Sequence, residues 1–388
     1  MTDTTDTLLL IDGSTLGGGG QLLRNSVALA ALLGRPIKID ELLPKGKQRG
    51  LKAQDAAGLH LVAEICSGNI VGCEPGSTKI EFHPGSIGLA GDYTADSQTA
   101  GSIALLLQAA LPCLLYCLPG TSLEPTYLTF HGATNPMHGP QIDYTANVFL
   151  PFLRRHFSLS PVLRVAQRGF SSRGGGIVHV SVSPRHGPFP AITLTKRGPV
   201  TAVSGCAYAA GLPGSFTTAM RKAAEKFLVK AGINQQIINI ETIREKPSGA
   251  VGCGSGIVLW ATTRGGCVIG SSARGSREKE SAQVGQDAAK ELIRNLEHGG
   301  CVDEYMQDQI IIFLALAQGR SVVATGPLTL HTKTAIWAAE RLTGAKFEVK
   351  KVSGDKSHVQ CDGIGYIAPG LASSSCADKG TCATADDE

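Results

Sequence analysis

No apolar run in this chain reaches the roughly 20 residues needed to cross a bilayer as a helix. The longest apolar stretch, Ile103 to Leu118, is broken by Gln108 and Pro112. Met1 to Asp6 bring acids and threonines where a secretory signal has a basic segment, so neither a membrane anchor nor export is expected. No C-x-x-C pair occurs among the eleven cysteines. Their odd number and scatter argue against a disulfide framework or a zinc site and for reduced, buried thiols in an intracellular protein, nuclear or cytoplasmic. Excess charge is also lacking: a net +4 excludes a polybasic binder of the histone type and leaves room only for a local basic groove. Neither G-x-x-x-x-G-K-[ST] nor K-x-D-G is present, which removes the P-loop and the lysine-nucleotidylating ligases. Aromatics make up 5% of residues against 48 glycines, a balance that favours short elements joined by tight turns.

What is present is alternation of strand and helix patterns. Strand Leu8 to Ile11 runs through a glycine loop into helix Gln21 to Leu33, then strand Pro36 to Ile39, helix Ala53 to Ile65 and strand Thr78 to Phe82. A similar order returns from Ser97 to Val182, with helices Ser97 to Leu111 and Tyr144 to His156. It returns again from Asp303 to Cys361, with helices Asp303 to Ala317 and Thr334 to Leu342. Between the last two lies a stretch with its own strands and helices, including Ala282 to Glu297, where Val284, Ala288, Leu292 and Leu296 recur every fourth residue. The pattern predicts an α/β protein: a large body of three repeated units, each with two helices and a small sheet, plus an inserted smaller α/β domain. We place the first two units at 8–185, the insertion at 186–297, the third unit at 298–365 and a disordered Ser/Ala/Asp-rich tail at 366–388.

The chemistry-bearing residues cluster at helix starts. His331 precedes the apolar pattern Ala335, Ile336, Ala338, Ala339, Leu342, so it is expected just before a helix N-terminus. There the positive end of the helix dipole keeps an imidazole neutral and attracts phosphate, and a neutral imidazole is a nucleophile toward phosphorus. Gly17 to Gly20 precede another helix, with Gln21 and Arg24 on one face at its mouth, and an arginine there can fork onto a phosphate. Lys45, Lys47, Arg49 and Lys52 form the densest basic patch, suited to gripping an RNA backbone without reading its sequence. Tyr305, Asp308 and Gln309 share one helix face, a ring to stack on a purine beside an acid and an amide to read its edge or sugar.

In this order the pieces resemble the RNA 3'-terminal phosphate cyclase family. The resemblance runs through Asp12-Gly13-Ser14, Gly18-Gly19-Gly20-Gln21-Leu22-Leu23-Arg24, Thr99-Ala100-Gly101-Ser102 and Pro140-Gln141-Ile142-Asp143-Tyr144. It continues through Arg168-Gly169, Gly174-Gly175-Gly176, His298-Gly299-Gly300, Asp303-Glu304-Tyr305 and Leu330-His331-Thr332, covering Leu8 to Gly365. It implies ATP-dependent conversion of an RNA 3'-phosphate to a 2',3'-cyclic phosphate through an enzyme-histidine-AMP intermediate. His331 matches the nucleophile, and Gln108, Pro140, Tyr305, Asp308 and Gln309 match ATP-contacting positions, with Pro140 and Tyr305 sandwiching adenine. Mg²⁺ is the expected companion of the triphosphate. The chain departs from the family where Gly17 replaces an acid linked to the metal, where lysines stand for arginines between Leu43 and Lys52, and where Ser172 replaces a proline. The alternative reading is a non-catalytic cyclase-like protein acting in ribosome assembly.

Overall fold

One arrangement of strands and helices occurs three times. In the first sheet Leu9–Asp12 lies parallel to Ile37–Asp40, which pairs antiparallel with Ile80–His83, with Asn69–Val71 antiparallel at the far edge. The second sheet repeats this order with Asp92–Asp96, Thr126–Gly132, Gly176–Val182 and Val162–Gly169. The third repeats it with Thr193–Leu194, Ala317–Thr325, Lys356–Ile364 and Lys346–Ser353. The structure is a computed structural model that describes residues 8–42, 50–88, 90–98, 100–116, 125–137, 139–170, 173–185 and 187–368. Lys45, Lys47, Arg49 and the tail from 369 onward lie outside the described residues.

Each parallel first step needs a crossover rather than a hairpin. In the first sheet the crossover is α1 (Gly20–Leu33), and α2 (Ala53–Ile65) follows the second strand. In the second sheet the crossover is α3 (Ile103–Leu114), and the second strand leads into α4 (Ile142–Tyr144), a π turn at Thr145–Phe149 and α5 (Leu150–Phe157). The third crossover contains the whole insertion. That insertion is a sheet of Ile238–Arg244, Val200–Ala210, Gly254–Thr263 and Val268–Arg274, carrying α6 (Ser215–Lys230) and α7 (Ser281–Glu297). The chain then forms α8 (Glu304–Leu316), enters the third sheet and adds α9 (Leu330–Thr343).

The expected α/β architecture is therefore met, with local differences. The helix expected from Ser97 begins at Ile103, where Ser102 Oγ accepts the Leu105 N–H at 3.4 Å and so sets the start. Strands Asn69–Val71 and Asp92–Asp96 were not foreseen, because both are edge strands that are largely exposed and carry no apolar alternation. Phe189–Pro190 and Thr193–Leu194 join the third sheet ahead of the inserted strands.

Helix α1 holds the site in place. Leu22, Leu23, Val27, Leu29 and Leu32 are all buried, and a helix apolar on every side has to be internal. It packs against α2, α3 and α9 at once, while α8 packs against α3 and α9.

Candidate active site

The convergence of these helices puts several polar side chains where the core is otherwise apolar. The loop before α1 is shaped by glycine: Gly18 sits at a φ of 59°, and a Cβ there would run into the Gly13 carbonyl oxygen. A Cβ at Gly20 would lie 2.5 Å from both Arg24 Nη1 and Asp55 Oδ1, so only glycine lets that pair rest against the loop.

Arg24 is buried. Its Nη1 donates to Asp55 Oδ1 at 2.8 Å and its Nη2 to Gln21 Oε1 at 3.1 Å. Two donors remain without a partner among the described residues: Arg24 Nε and Gln21 Nε2. Buried nitrogens of this kind call for an acceptor, and the guanidinium charge favours an anionic one. Asp55 opens α2 and gave no sign from sequence; only the packing of α2 on α1 reveals it as the partner. Lys52 is exposed, just ahead of α2.

His331 lies in the first turn of α9, which starts at Leu330, rather than before the helix as the apolar periodicity implied. Thr329 is the true cap: its Oγ1 accepts the Thr332 N–H at 3.1 Å. The imidazole is open to solvent, yet the surrounding protein holds its pKa below the ordinary value, first through desolvation and second through the Arg24 charge. The ring is therefore neutral near pH 7, beside the unfilled N–H groups of a helix start.

Helix α8 supplies the next wall. Asp303 caps it, taking the Tyr305 and Met306 N–H groups at 3.0 Å on Oδ1, and also accepts from Tyr144 Oη at 2.7 Å and from the Gly270 N–H at 2.7 Å. Tyr305, half-buried, packs its ring against Tyr144 with centroids 5.5 Å apart. Pro140 is buried just ahead of α4, in the segment that leads to Tyr144. Asp308 is pushed up to about 7, by burial above all, against the opposing pull of Arg24 and a hydrogen bond from Gln108. Gln309 Nε2 donates to the Tyr305 carbonyl oxygen at 2.6 Å.

The structure thus brings Gln21, Asp308 and His331 to the buried Arg24 guanidinium, with Gln108 bonded to Asp308 and Tyr305 and Gln309 on the helix that carries Asp308. Gln307 was missed by sequence reading. Its amide is buried and bonds to Pro327, Thr329 and Thr332 at the foot of α9. A cavity of about 700 Å³ opens beside Gln307 and Thr329, lined also by Asn295 and His298.

A family model described as RNA 3'-terminal phosphate cyclase matches residues 15–349. The chain belongs to the RNA 3'-terminal phosphate cyclase family. A Drosophila melanogaster protein named RNA 3'-terminal phosphate cyclase is 37% identical, over 93% of this chain and 98% of its own length. A Pyrobaculum aerophilum protein of the same name is 36% identical over 92% and 98%. A Dictyostelium discoideum protein named probable RNA 3'-terminal phosphate cyclase is 34% identical over 93% and 84%. Within this cyclase-family chain, no helix among the described residues is long and apolar enough to cross a membrane. Nor do the described residues contain a group of three or more His, Cys, Asp or Glu side chains able to hold a metal ion. Gly17, where the family's acid is expected, has a φ of 85°, and a Cβ there would meet the Leu330 side chain at 3.6 Å. These residues do not fit a protein-built metal centre.

Proposed function

We propose that the chain uses ATP to convert an RNA 3'-terminal phosphate into a 2',3'-cyclic phosphodiester, with His331 as the group that accepts AMP. The observation that carries this reading is a solvent-open imidazole kept neutral at the start of a helix, next to a buried arginine with an unpartnered Nε. A neutral ring nitrogen attacks the α-phosphorus of ATP, the bond to the pyrophosphate oxygen breaks and pyrophosphate leaves. An oxygen of the RNA 3'-phosphate then attacks the same phosphorus, the imidazole leaves, and AMP is joined to the RNA end. The neighbouring 2'-hydroxyl, already held close by the ribose, attacks the 3' phosphorus, loses its proton and expels AMP.

Arg24 and Gln21 offer donors to phosphate oxygens. Tyr305 offers a ring for adenine, with Pro140 on the opposite side, and Asp308, Gln108 and Gln309 offer contacts to ribose and base. Lys52, with Lys45, Lys47 and Arg49, would grip the RNA backbone. Mg²⁺ would ride on the triphosphate and offset its charge rather than sit in a protein cage. The protein is read as acting inside the cell, in the nucleus or the cytoplasm.

The test is incubation with ATP labelled at the α-phosphate. Wild-type protein should acquire an acid-labile label that His331→Ala abolishes. A wild type that takes up none, yet co-sediments with pre-ribosomal particles, would replace this reading by the assembly-protein alternative.

A further inference from the structure

Gln307 belongs to the same helix as Tyr305, Asp308 and Gln309, yet its side chain turns away from them to the foot of α9. It is 3% exposed and spends the amide on three bonds. Nε2 donates to Pro327 O at 3.2 Å, while Oε1 accepts the Thr329 N–H at 3.3 Å and the Thr332 Oγ1–H at 3.0 Å. The proton directions follow. A hydroxyl has a single hydrogen, and Thr332 gives its own to Gln307, so the 2.8 Å contact between Thr329 Oγ1 and Thr332 Oγ1 must be a donation from Thr329. Thr329 Oγ1 in turn accepts the Thr332 N–H as the helix cap. The residues flanking His331 in sequence are therefore tied, through one amide, to the helix that carries the proposed nucleotide contacts.

We infer that Gln307 is a positioning residue: it sets the register between α8 and the first turn of α9, and so aims the His331 ring at the α-phosphorus. The inference rests on the AMP-transfer reading above. Gln307 touches neither nucleotide nor RNA in this account. Its effect comes through Thr329 and Thr332, and a misplacement of about 1 Å at a reacting group can cost about 100-fold in rate.

The experiment is single-turnover AMP labelling of the full chain, with ATP concentration varied. Q307L should slow labelling at saturating ATP by about 100-fold, with little change in the ATP concentration giving half the maximal rate. T332V should do the same, T332S should stay near wild type, and the Q307L/T332V double variant should be no slower than the worse single one. Q307E adds a pH signature. Its ionised carboxylate would face the Pro327 carbonyl oxygen, whereas its protonated form restores a donor, so its rate relative to wild type should recover as pH falls. Losses that multiply in the double variant, or a Q307L rate within about twofold of wild type, overturn the inference. If Q307L does not fold, T332V and T332S carry the same comparison. Hydrogen exchange at the Thr332 and Lys333 amides reads the latch without chemistry and should quicken in Q307L or T332V. Quickened exchange in a protein whose wild type takes up no AMP would sink the AMP-transfer reading and leave the latch standing, while unchanged exchange overturns the latch itself.

Discussion

Arg24 Nη1 and Asp55 Oδ1 lie 2.8 Å apart with both side chains buried, so α1 and α2 are joined near their starts by an ion pair shielded from water. The pair fixes the guanidinium that in turn influences both His331 and Asp308. Breaking it affects stability and chemistry together.

Asp55→Ala strands a buried guanidinium, which in comparable sites costs about 3–5 kcal/mol. Urea unfolding should show the loss as a lower midpoint at similar slope. Asp55→Asn, which keeps an oxygen acceptor, should lose less. An Asp55→Ala midpoint equal to wild type contradicts the pair's assigned weight.

The AMP-labelling rate should depend on pH through His331. The reactive form is the neutral ring, and both desolvation and Arg24 hold its pKa below the ordinary 6.5. The midpoint of the acid limb should therefore lie below 6.5. Arg24→Gln removes the second cause, so whatever activity survives should show its acid limb displaced upward. A wild-type limb at or above 6.5 is incompatible with this account.

Glu291, within electrostatic reach of Tyr305 but not among the reacting groups, is pushed up to about 8, by burial first and by Glu304 second. Between its ordinary 4.5 and about 8 the folded state holds a proton that the unfolded state releases, so stability falls as pH rises through that window. Glu291→Gln should flatten this slope and raise the melting temperature at pH 8 more than at pH 5. Equal gains at both values would exclude the linkage.

Arg168 forks onto Asp143 at 2.7 and 2.8 Å, donates from Nε to Glu245 at 2.5 Å and lies over the Tyr208 ring at 4.5 Å. It ties the second sheet to the inserted one. Arg168→Ala should destabilise by about 3–5 kcal/mol, and Arg168→Lys by an intermediate amount because a single ammonium cannot reproduce the fork. Denaturation curves for the two variants give the order directly, and a lysine variant as stable as wild type would rule out the forked geometry as the cause.

Much of the fold is legible in the chain. The fourfold spacing of Val284, Ala288, Leu292 and Leu296 predicts α7, and all four of those side chains are buried. Helix α2 has the bounds its pattern implies, and the threefold return of strand and helix shows itself as one strand order used three times. The edge strands Asn69–Val71 and Asp92–Asp96 escape because they are short, largely exposed and carry no apolar period. Apolar periodicity starts α9 too late, because Leu330, His331 and Lys333 are exposed and the cap at Thr329 works through hydrogen bonds that hydrophobic periodicity does not register.

The candidate site divides along the same line. Local sequence is enough to show that a histidine follows a turn into a helix, that an arginine follows a glycine loop, and that a tyrosine, an aspartate and a glutamine share a helix face. These are local facts, encoded by neighbours within a turn or two. It takes the packed fold to pair Arg24 with Asp55, 31 residues away, and to have Gln307 hold Thr332, 25 residues away. A buried polar group must find a partner, but which one it finds depends on how helices from different units pack. That choice is made where α1, α2, α8 and α9 meet, and no single stretch of chain contains it.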